Sequence, residues 1–369
     1  MPARLYLCAP GGERPLLAEL AAEFPAGAHR VAGPGLVWSE LPDEGDRVPS
    51  VAFARQALPE PEPLGAPSVT RWGEAAAARL IEALSRAPAA DAPWRLHVFS
   101  AAPPGARTGP GRARLVRQAV VAELKQRRRS LLRALVPDDA APWSDDERLA
   151  QLALASHESG WLSVCEAAER IRLRRSLSRF PGGEVAVPED RRPPSRAYRK
   201  LLEAELRGGF AIAAGERCVD LGAAPGSWSW VALQRGAHVL AVDRAALRDD
   251  LMRHPRLRFV RGNAFSWAPN ASFTTDAADT PGGAGALPVD WLLCDVIAFP
   301  ARTLELLQRW TAHRWCRRFV VTVKFKGEDD YPLLQPLKAA LEATGCEYTL
   351  CQLGANRNEV TAWGSVPGA

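Results

Sequence analysis

The sequence lacks the features of several large protein classes. Its 369 residues contain no run of 18 apolar residues, so no segment is predicted to span a membrane. The seven cysteines form no Cys-x-x-Cys pair, and we expect reduced, buried thiols and no bound metal. The N-terminal residues lack the long apolar core of a signal peptide, so we expect a cytoplasmic protein.

A Gly-x-Gly-x-x-Gly motif is also missing, which disfavours an NAD-dependent oxidoreductase. A different glycine turn is present, because Asp220-Leu-Gly-Ala-Ala-Pro-Gly226 follows a strand-like run and precedes a helix-like segment. Gly222 and Gly226 carry no Cβ, so the backbone can approach a ligand closely. The helix that follows would aim free N–H groups at the same ligand. The turn therefore predicts a ligand site at the end of a strand.

Positive charge is concentrated in two segments, although the net charge of the chain is only +5. Residues 105–135 carry a net charge of +8 and residues 170–200 a net charge of +7, so the remainder sums to −10. A basic belt on an acidic body is what binding to a phosphate backbone requires. We expect contact with nucleic acid; the alternative is a solvated helix face.

Two patterns divide the chain. The first half mixes predicted strands and helices as α+β domains do. Strands are predicted at 4–8, 35–41, 51–55, 95–100 and 161–165, and helical segments at 14–24, 70–85 and 111–135. The Pro-rich segment 58–64 is predicted to have no regular structure. The second half predicts strands at 218–221, 238–242, 257–261, 289–294, 319–324, 348–353 and 361–363, alternating with helices at 198–206, 227–234, 302–314 and 331–344. This alternation predicts a mostly parallel sheet with helices on both faces, and residues 271–287 are predicted to form a long mobile loop.

Polar side chains end several of these strands, where the ligand sites of parallel sheets lie. Asp243 ends the second strand, 21 residues after Gly222, where a carboxylate commonly binds ribose hydroxyls. Asn263 follows the third strand, where an amide can read an adenine edge, and Asp295 ends the fourth. Lys324 ends an apolar strand beside the same crevice, and lysine is rarely buried without a partner.

Five motifs in this order resemble the FtsJ-type ribosomal RNA 2′-O-ribose methyltransferases. They are Ser195-Arg-Ala-Tyr-Arg-Lys200, Asp220-Leu-Gly-Ala-Ala-Pro-Gly-Ser-Trp228, Cys294-Asp295, Val323-Lys324 and Asn358-Glu-Val-Thr361. The resemblance covers roughly residues 195–365. It implies a Rossmann-like α/β domain that uses S-adenosylmethionine, with a catalytic tetrad of Lys200, Asp295, Lys324 and Glu359.

Motifs in the N-terminal half indicate which branch of the family the chain resembles. Leu5-Tyr-Leu-Cys-Ala-Pro-Gly11 and Phe53-Ala-Arg-Gln56 are similar to the branch of the family that carries a ferredoxin-like domain and a THUMP domain and methylates a cytidine of 23S rRNA. The resemblance implies four parts: a ferredoxin-like domain over 1–57, a THUMP-like RNA-binding domain over 58–170, a basic linker over 171–194 and a Rossmann-like methyltransferase domain over 195–369.

The implied chemistry needs a positioned base, because a ribose 2′-hydroxyl is a weak acid. A lysine can serve where burial and a neighbouring cation disfavour its protonated form. The resemblance gives this role to Lys324, with Lys200 as the neighbouring cation and with Asp295 and Glu359 orienting the ammonium groups and the hydroxyl. Lys326 is the alternative base.

The resemblance also implies the cofactor contacts. They are Ala197, Gly222, Ala224, Pro225, Gly226, Ser227, Asp243, Asn263 and Asp295. Ser227 stands where a second glycine is common, and Asn263 replaces an aspartate, so it can hydrogen-bond adenine without charge. Ala197 can act only through its backbone.

The expected partner is RNA, with 23S rRNA as the predicted substrate. Its contacts are expected at Arg127, Arg128, Arg129, Arg174 and Arg175. No membrane, DNA or obligate protein partner is expected. Two alternatives remain open: a 2′-O-methyltransferase acting on another RNA such as tRNA, and a catalytically silent RNA-binding homologue.

Overall fold

The computed structural model of the protein describes residues 2–42, 48–86, 92–101, 109–137, 143–269 and 288–369. The chain divides into two compact units, Met1–Glu184 and Val185–Ala369. The loop predicted over 271–287 lies outside the described residues. Within the described part of the chain, no helix combines the length and the apolar character needed to cross a bilayer.

The first unit begins with a four-stranded antiparallel sheet and one helix. Its elements are β1 (Ala3–Cys8), α1 (Glu13–Glu23), β2 (Ala28–Gly33), β3 (Leu36–Glu40) and β4 (Ala54–Pro59). The strand order is β2-β3-β1-β4. The carboxylate of buried Glu19 on α1 accepts the backbone N–H groups of Ala52 and Phe53, which fixes the chain just before β4.

A second four-stranded sheet in the same unit is covered by two long helices. Its elements are β5 (Glu62–Gly65), α2 (Val69–Ser85), β6 (Trp94–Ser100), α3 (Pro110–Arg127), β7 (Arg148–Leu154), β8 (Ser159–Cys165) and α4 (Ala167–Arg172), in the strand order β5-β8-β7-β6. α2 presents its apolar stripe to the sheet, with Trp72 and Leu80 fully buried. Gly73 allows close approach of α3, because a Cβ there would lie 2.8 Å from the backbone of Ala119.

Two predictions for this unit are wrong. Residues 58–64 do have regular structure, because β4 runs through Pro59 and β5 contains Pro63. Both are edge strands, where the missing proline N–H needs no partner. The basic helix predicted over 111–135 ends at Arg127 and gives way to a 3₁₀ turn over Arg129–Arg133. The reason is tertiary, since Trp94 donates its indole N–H to the carbonyl of Leu131 at 2.8 Å.

The second unit contains one seven-stranded sheet. Its strands are β9 (Arg217–Leu221), β10 (His238–Asp243), β11 (Leu257–Arg261), β12 (Val289–Cys294), β13 (Cys316–Lys324), β14 (Glu347–Cys351) and β15 (Glu359–Ser365). The order is β11-β10-β9-β12-β13-β15-β14, and only β15 runs antiparallel to its neighbours. The prediction of a mostly parallel Rossmann-like sheet is therefore confirmed.

Five helices of the described residues accompany this sheet. They are α5 (Tyr198–Gly208), α6 (Ser227–Gln234), α7 (Asp249–Met252), α8 (Pro300–Ala312) and α9 (Leu334–Ala343). The helix predicted over 331–344 is divided, because a 3₁₀ turn over Glu328–Leu333 contains Pro332 and precedes α9. The four-part division at 57, 170 and 194 stays a prediction.

Candidate active site

A cavity of about 540 Å³ lies at the carboxyl ends of the parallel strands. Its described lining residues come from the segments that follow β9 to β13: Gly222, Asp243, Arg244, Gly262, Asn263, Ala264, Phe265, Val296, Ile297, Ala298, Phe299, Arg302, Lys324, Phe325 and Lys326. Because these strand ends converge at one edge of the sheet, residues far apart in sequence share the cavity. Gly222, Asp243, Asn263 and Lys324 are the predicted site residues in this lining.

The glycine turn brings backbone close to the cavity. Gly222 has φ +74°, and a Cβ at this position would lie 2.6 Å from Cβ of Val296. Only glycine meets both conditions without strain. At the other end of the turn, Gly226 has φ +109° and precedes the first residue of α6.

Asp220 holds the first turn of α6 in place through two hydrogen bonds. Its Oδ2 accepts the backbone N–H of Ser229 at 3.0 Å and the Ser229 hydroxyl at 2.6 Å. The side chain is buried, and this burial raises the pKa of Asp220 to about 7. The two hydrogen bonds act in the opposite direction because they stabilise the carboxylate.

Two of the predicted cofactor residues, Ser227 and Ala197, hydrogen-bond to other residues of the second unit. The Ser227 hydroxyl accepts the backbone N–H of Ser195 at 2.8 Å, and Trp228 donates its indole N–H to the carbonyl of Ala197 at 2.8 Å. These bonds join the start of α5 to the start of α6. The following predicted contacts are not among the described residues that line the cavity: Ala197, Ala224, Pro225, Gly226, Ser227 and Asp295.

Asp243 and Asn263 stand on neighbouring strand ends. Asp243 accepts the backbone N–H of Ala224 at 3.0 Å and that of Ala245 at 2.9 Å, one on each carboxylate oxygen. A carboxylate can accept about four hydrogen bonds, so each oxygen of Asp243 can accept a further one. Asn263 accepts the N–H of Phe265 through Oδ1 at 3.2 Å, which leaves its amide nitrogen as a donor toward the cavity.

The four residues of the predicted tetrad form one charge network. Nζ of Lys200 lies 3.0 Å from Oδ1 of Asp295 and 2.6 Å from Oε1 of Glu359. Nζ of Lys324 lies 3.1 Å from the same Oδ1 and donates to the backbone carbonyl of Asp295 at 2.8 Å. Lys200 therefore faces two carboxylates, whereas Lys324 shares one carboxylate oxygen with Lys200.

Strand register places the last two members of the network. Lys324 on β13 pairs directly with Glu359 on β15, which is the first residue of its strand and not, as predicted, a residue before it. Asn358 ties the two strand ends together. It donates through Nδ2 to the carbonyl of Phe325 at 3.0 Å and accepts the hydroxyl of Tyr331 at 2.8 Å.

The structure separates the two candidate lysines. Lys326 is exposed, and its Nζ lies 3.5 Å from the ring centroid of Phe299, away from the contacts that Lys324 makes with Asp295. The apolar loop residues of the cavity and the Asn358–Tyr331 pair were not predicted from the sequence. A signal for the second was available, since Asn358 directly precedes Glu359 in one of the five motifs.

The predicted RNA contacts all lie in the first unit. Arg127, Arg128 and Arg129 are exposed at the end of α3 and the start of the following 3₁₀ turn. Arg174 is exposed and Arg175 is half-buried after α4. Within the described ranges, no group of three or more His, Cys, Asp or Glu could hold a metal ion.

Part of the chain is similar to known methyltransferases. Residues 193–323 match the family model of FtsJ-like methyltransferases. The chain is 32% identical over 194 residues to the ribosomal RNA large subunit methyltransferase M of Thauera aminoaromatica, covering 51% of this chain and 44% of that protein. It is 30% identical over 225 residues to the protein of the same name from Teredinibacter turnerae, covering 58% of each. The chain thus spans about half the length of these relatives.

Proposed function

Because residues 193–323 match the family model of FtsJ-like methyltransferases, we propose that the protein methylates the 2′-hydroxyl of a ribose in ribosomal RNA, with Lys324 as the general base. The observation that carries this proposal is the network in which Lys200 and Lys324 share Oδ1 of Asp295 and Glu359 binds Lys200. The relatives named as large-subunit rRNA methyltransferases support 23S rRNA as the substrate, and the predicted nucleotide is a cytidine.

The cofactor is S-adenosylmethionine, and the cavity fits it. Gly222 provides a backbone surface without a side chain, and Asp243 offers carboxylate oxygens suited to ribose hydroxyls. Asn263 can hydrogen-bond an adenine edge. When bound, S-adenosylmethionine supplies an electrophilic methyl group carried by a positively charged sulfur.

The residues of the chain position the acceptor and take its proton. In the proposed step, the ribose 2′-oxygen would bond to the methyl carbon, the bond from that carbon to the sulfonium sulfur would break with its electron pair left on the sulfur, and the hydroxyl proton would pass to Nζ of Lys324. The positive charge of Lys200 lies beside two carboxylates, those of Asp295 and Glu359. The carboxylate that Lys324 contacts, that of Asp295, is therefore shared with Lys200. This arrangement supports Lys324 over Lys200 as the base, because Lys200 is already held between two carboxylates. Alignment of the hydroxyl with the methyl group supplies much of the remaining acceleration.

Alkaline hydrolysis of the labelled product tests the reaction class. The protein is incubated with methyl-labelled S-adenosylmethionine and unmodified rRNA, and the RNA is then hydrolysed with alkali. A 2′-O-methyl group blocks attack on the adjacent phosphodiester, so label in alkali-resistant dinucleotides is the expected result. Label in mononucleotides would mean that a base is methylated, and it would contradict the proposal.

Charge reversal at Arg127, Arg128 and Arg129, which are exposed, is expected to weaken RNA binding about tenfold or more at low salt. An arginine that contacts a phosphate releases counterions from the RNA, and this release favours binding. Binding of S-adenosylmethionine should be unchanged.

The control variant reverses the charge of three other exposed arginines of the same unit. They are Arg71, Arg79 and Arg86, whose charges are already paired with Glu74 or Glu82. A filter-binding titration at several salt concentrations measures both variants, and equal losses in the two would remove the specific role of Arg127–Arg129.

A further inference from the structure

Two large apolar side chains stand exposed beside the site. Ile297 is 88% exposed and Phe299 is 54% exposed, and they are the most exposed large hydrophobic residues in the described part of the chain. Both lie in the loop between β12 and α8, which begins with Asp295, and both line the cavity. Apolar surface concentrated beside a charged site indicates a binding surface.

The loop contacts the segment that follows β13. Nζ of Lys326 lies 3.5 Å from the ring centroid of Phe299, and Lys326 is only two residues beyond Lys324. Asp243 and Asn263, which suit adenosine, follow β10 and β11, and β9 separates those strands from β12. Phe299 therefore contacts the segment that follows Lys324, while Arg302, three residues further on, lies over the ring of Phe265 beside Asn263.

We propose that Ile297, Phe299 and Lys326 form an acceptor platform that binds an unpaired RNA strand beside the target nucleotide. This inference rests on the proposed function, because it assigns a substrate surface to the same site. Lys326 lies over one face of the Phe299 ring, so a base can stack on the opposite face while the ammonium group contacts a neighbouring phosphate. Stacking is tolerant of sequence, since every base has a π face.

The combination of groups favours RNA over an apolar protein partner. A protein helix would need an extended apolar groove, whereas the cavity here also presents the cations of Arg244, Arg302 and Lys326. Aromatic and aliphatic surface interleaved with positive charge is the composition that binds single-stranded nucleic acid. The platform is therefore selective for an unpaired target over the same sequence in a duplex.

The test compares the full-length Phe299→Ala variant with Phe299→Trp, which keeps a stacking ring, and with Leu206→Ala, which removes a 38%-exposed side chain on α5. Fluorescence anisotropy measures affinity for a short unstructured RNA and for its duplex, at low and at high salt. Calorimetry measures binding of S-adenosylmethionine. We expect Phe299→Ala to lose about tenfold in affinity for the single strand, while Phe299→Trp and Leu206→Ala bind as the wild type does. The loss should persist at high salt, because stacking is not screened, unlike the phosphate contacts of Arg127–Arg129.

The outcomes separate this inference from the proposed function. Equal single-strand affinity of Phe299→Ala and wild type would overturn the platform, even with methyl transfer intact. A loss confined to S-adenosylmethionine binding would also overturn it and assign Phe299 to the cofactor. Weaker single-strand binding by Phe299→Ala, with no methyl transfer by the wild type on any rRNA, would support the platform and contradict the proposed function.

Discussion

The Lys324→Ala variant is expected to lose methyl transfer, with kcat lowered by roughly a hundredfold to ten-thousandfold, the range set by removing a general base. The physical reason is that Nζ of Lys324 is bound to Asp295 through both a carboxylate oxygen and the backbone carbonyl, which holds it at the proposed acceptor position. Binding of S-adenosylmethionine should survive, because the residues proposed to hold adenosine follow other strands. Single-turnover transfer of labelled methyl and calorimetric cofactor binding measure the two effects separately.

The Lys324→Arg variant separates a base from a simple positive charge. Arginine keeps the charge opposite Asp295 but does not release its proton in a protein. We therefore expect Lys324→Arg to be as inactive as Lys324→Ala. Near-normal turnover by the arginine variant would show that position 324 orients the substrate through its charge, and Lys324 would lose the role of base.

The Gly222→Ala variant is expected to lose at least about tenfold in affinity for S-adenosylmethionine. A Cβ at position 222 would lie 2.6 Å from Cβ of Val296, so the segment after Asp295 must shift into the cavity. The shift also disturbs the residue that both lysines contact. Isothermal titration calorimetry measures the affinity, and thermal unfolding measures the accompanying loss of stability.

Gly215→Ala is the matched control for Gly222→Ala. Gly215 has φ +80°, close to the +74° of Gly222, but a Cβ there meets nothing within 4 Å. Both variants carry the cost of a left-handed alanine, about 1 kcal/mol, and should lose similar stability from that source. Only Gly222→Ala should lose cofactor affinity. If both variants bind S-adenosylmethionine as the wild type does, close backbone approach at Gly222 does not form the cofactor site.

The strand ends were the predictable part of the site. Asp243 and Lys324 end strands whose apolar residues are evident in the sequence, and Asp295 directly follows another such strand. Parallel strands bring their carboxyl ends together. The residue following the next strand, Asn263, also lines the cavity. Periodicity alone could not place Glu359, because its pairing with Lys324 depends on the register between β13 and the antiparallel strand β15. Glu359 was predicted from the family resemblance alone.

Other features depend on tertiary structure that the sequence pattern does not encode. β7 was missed because its sequence, Arg148-Leu-Ala-Gln-Leu-Ala-Leu154, is rich in good helix formers. All seven of its residues are buried between β6 and β8, and this packing overrides the local preference. Ile297 and Phe299 lie in a loop, where no periodicity predicts whether a side chain points inward or outward.

The measurement that tests the central claim most directly is the position and chemistry of the methyl group on 23S rRNA. Unmodified 23S rRNA is incubated with the protein and labelled S-adenosylmethionine, digested with nucleases and analysed by mass spectrometry. With the wild type we expect label at one site, as 2′-O-methylcytidine, and with Lys324→Ala we expect no label. A methyl group on a base, or equal labelling by wild type and Lys324→Ala, would contradict the assignment of this site as a lysine-based ribose methyltransferase.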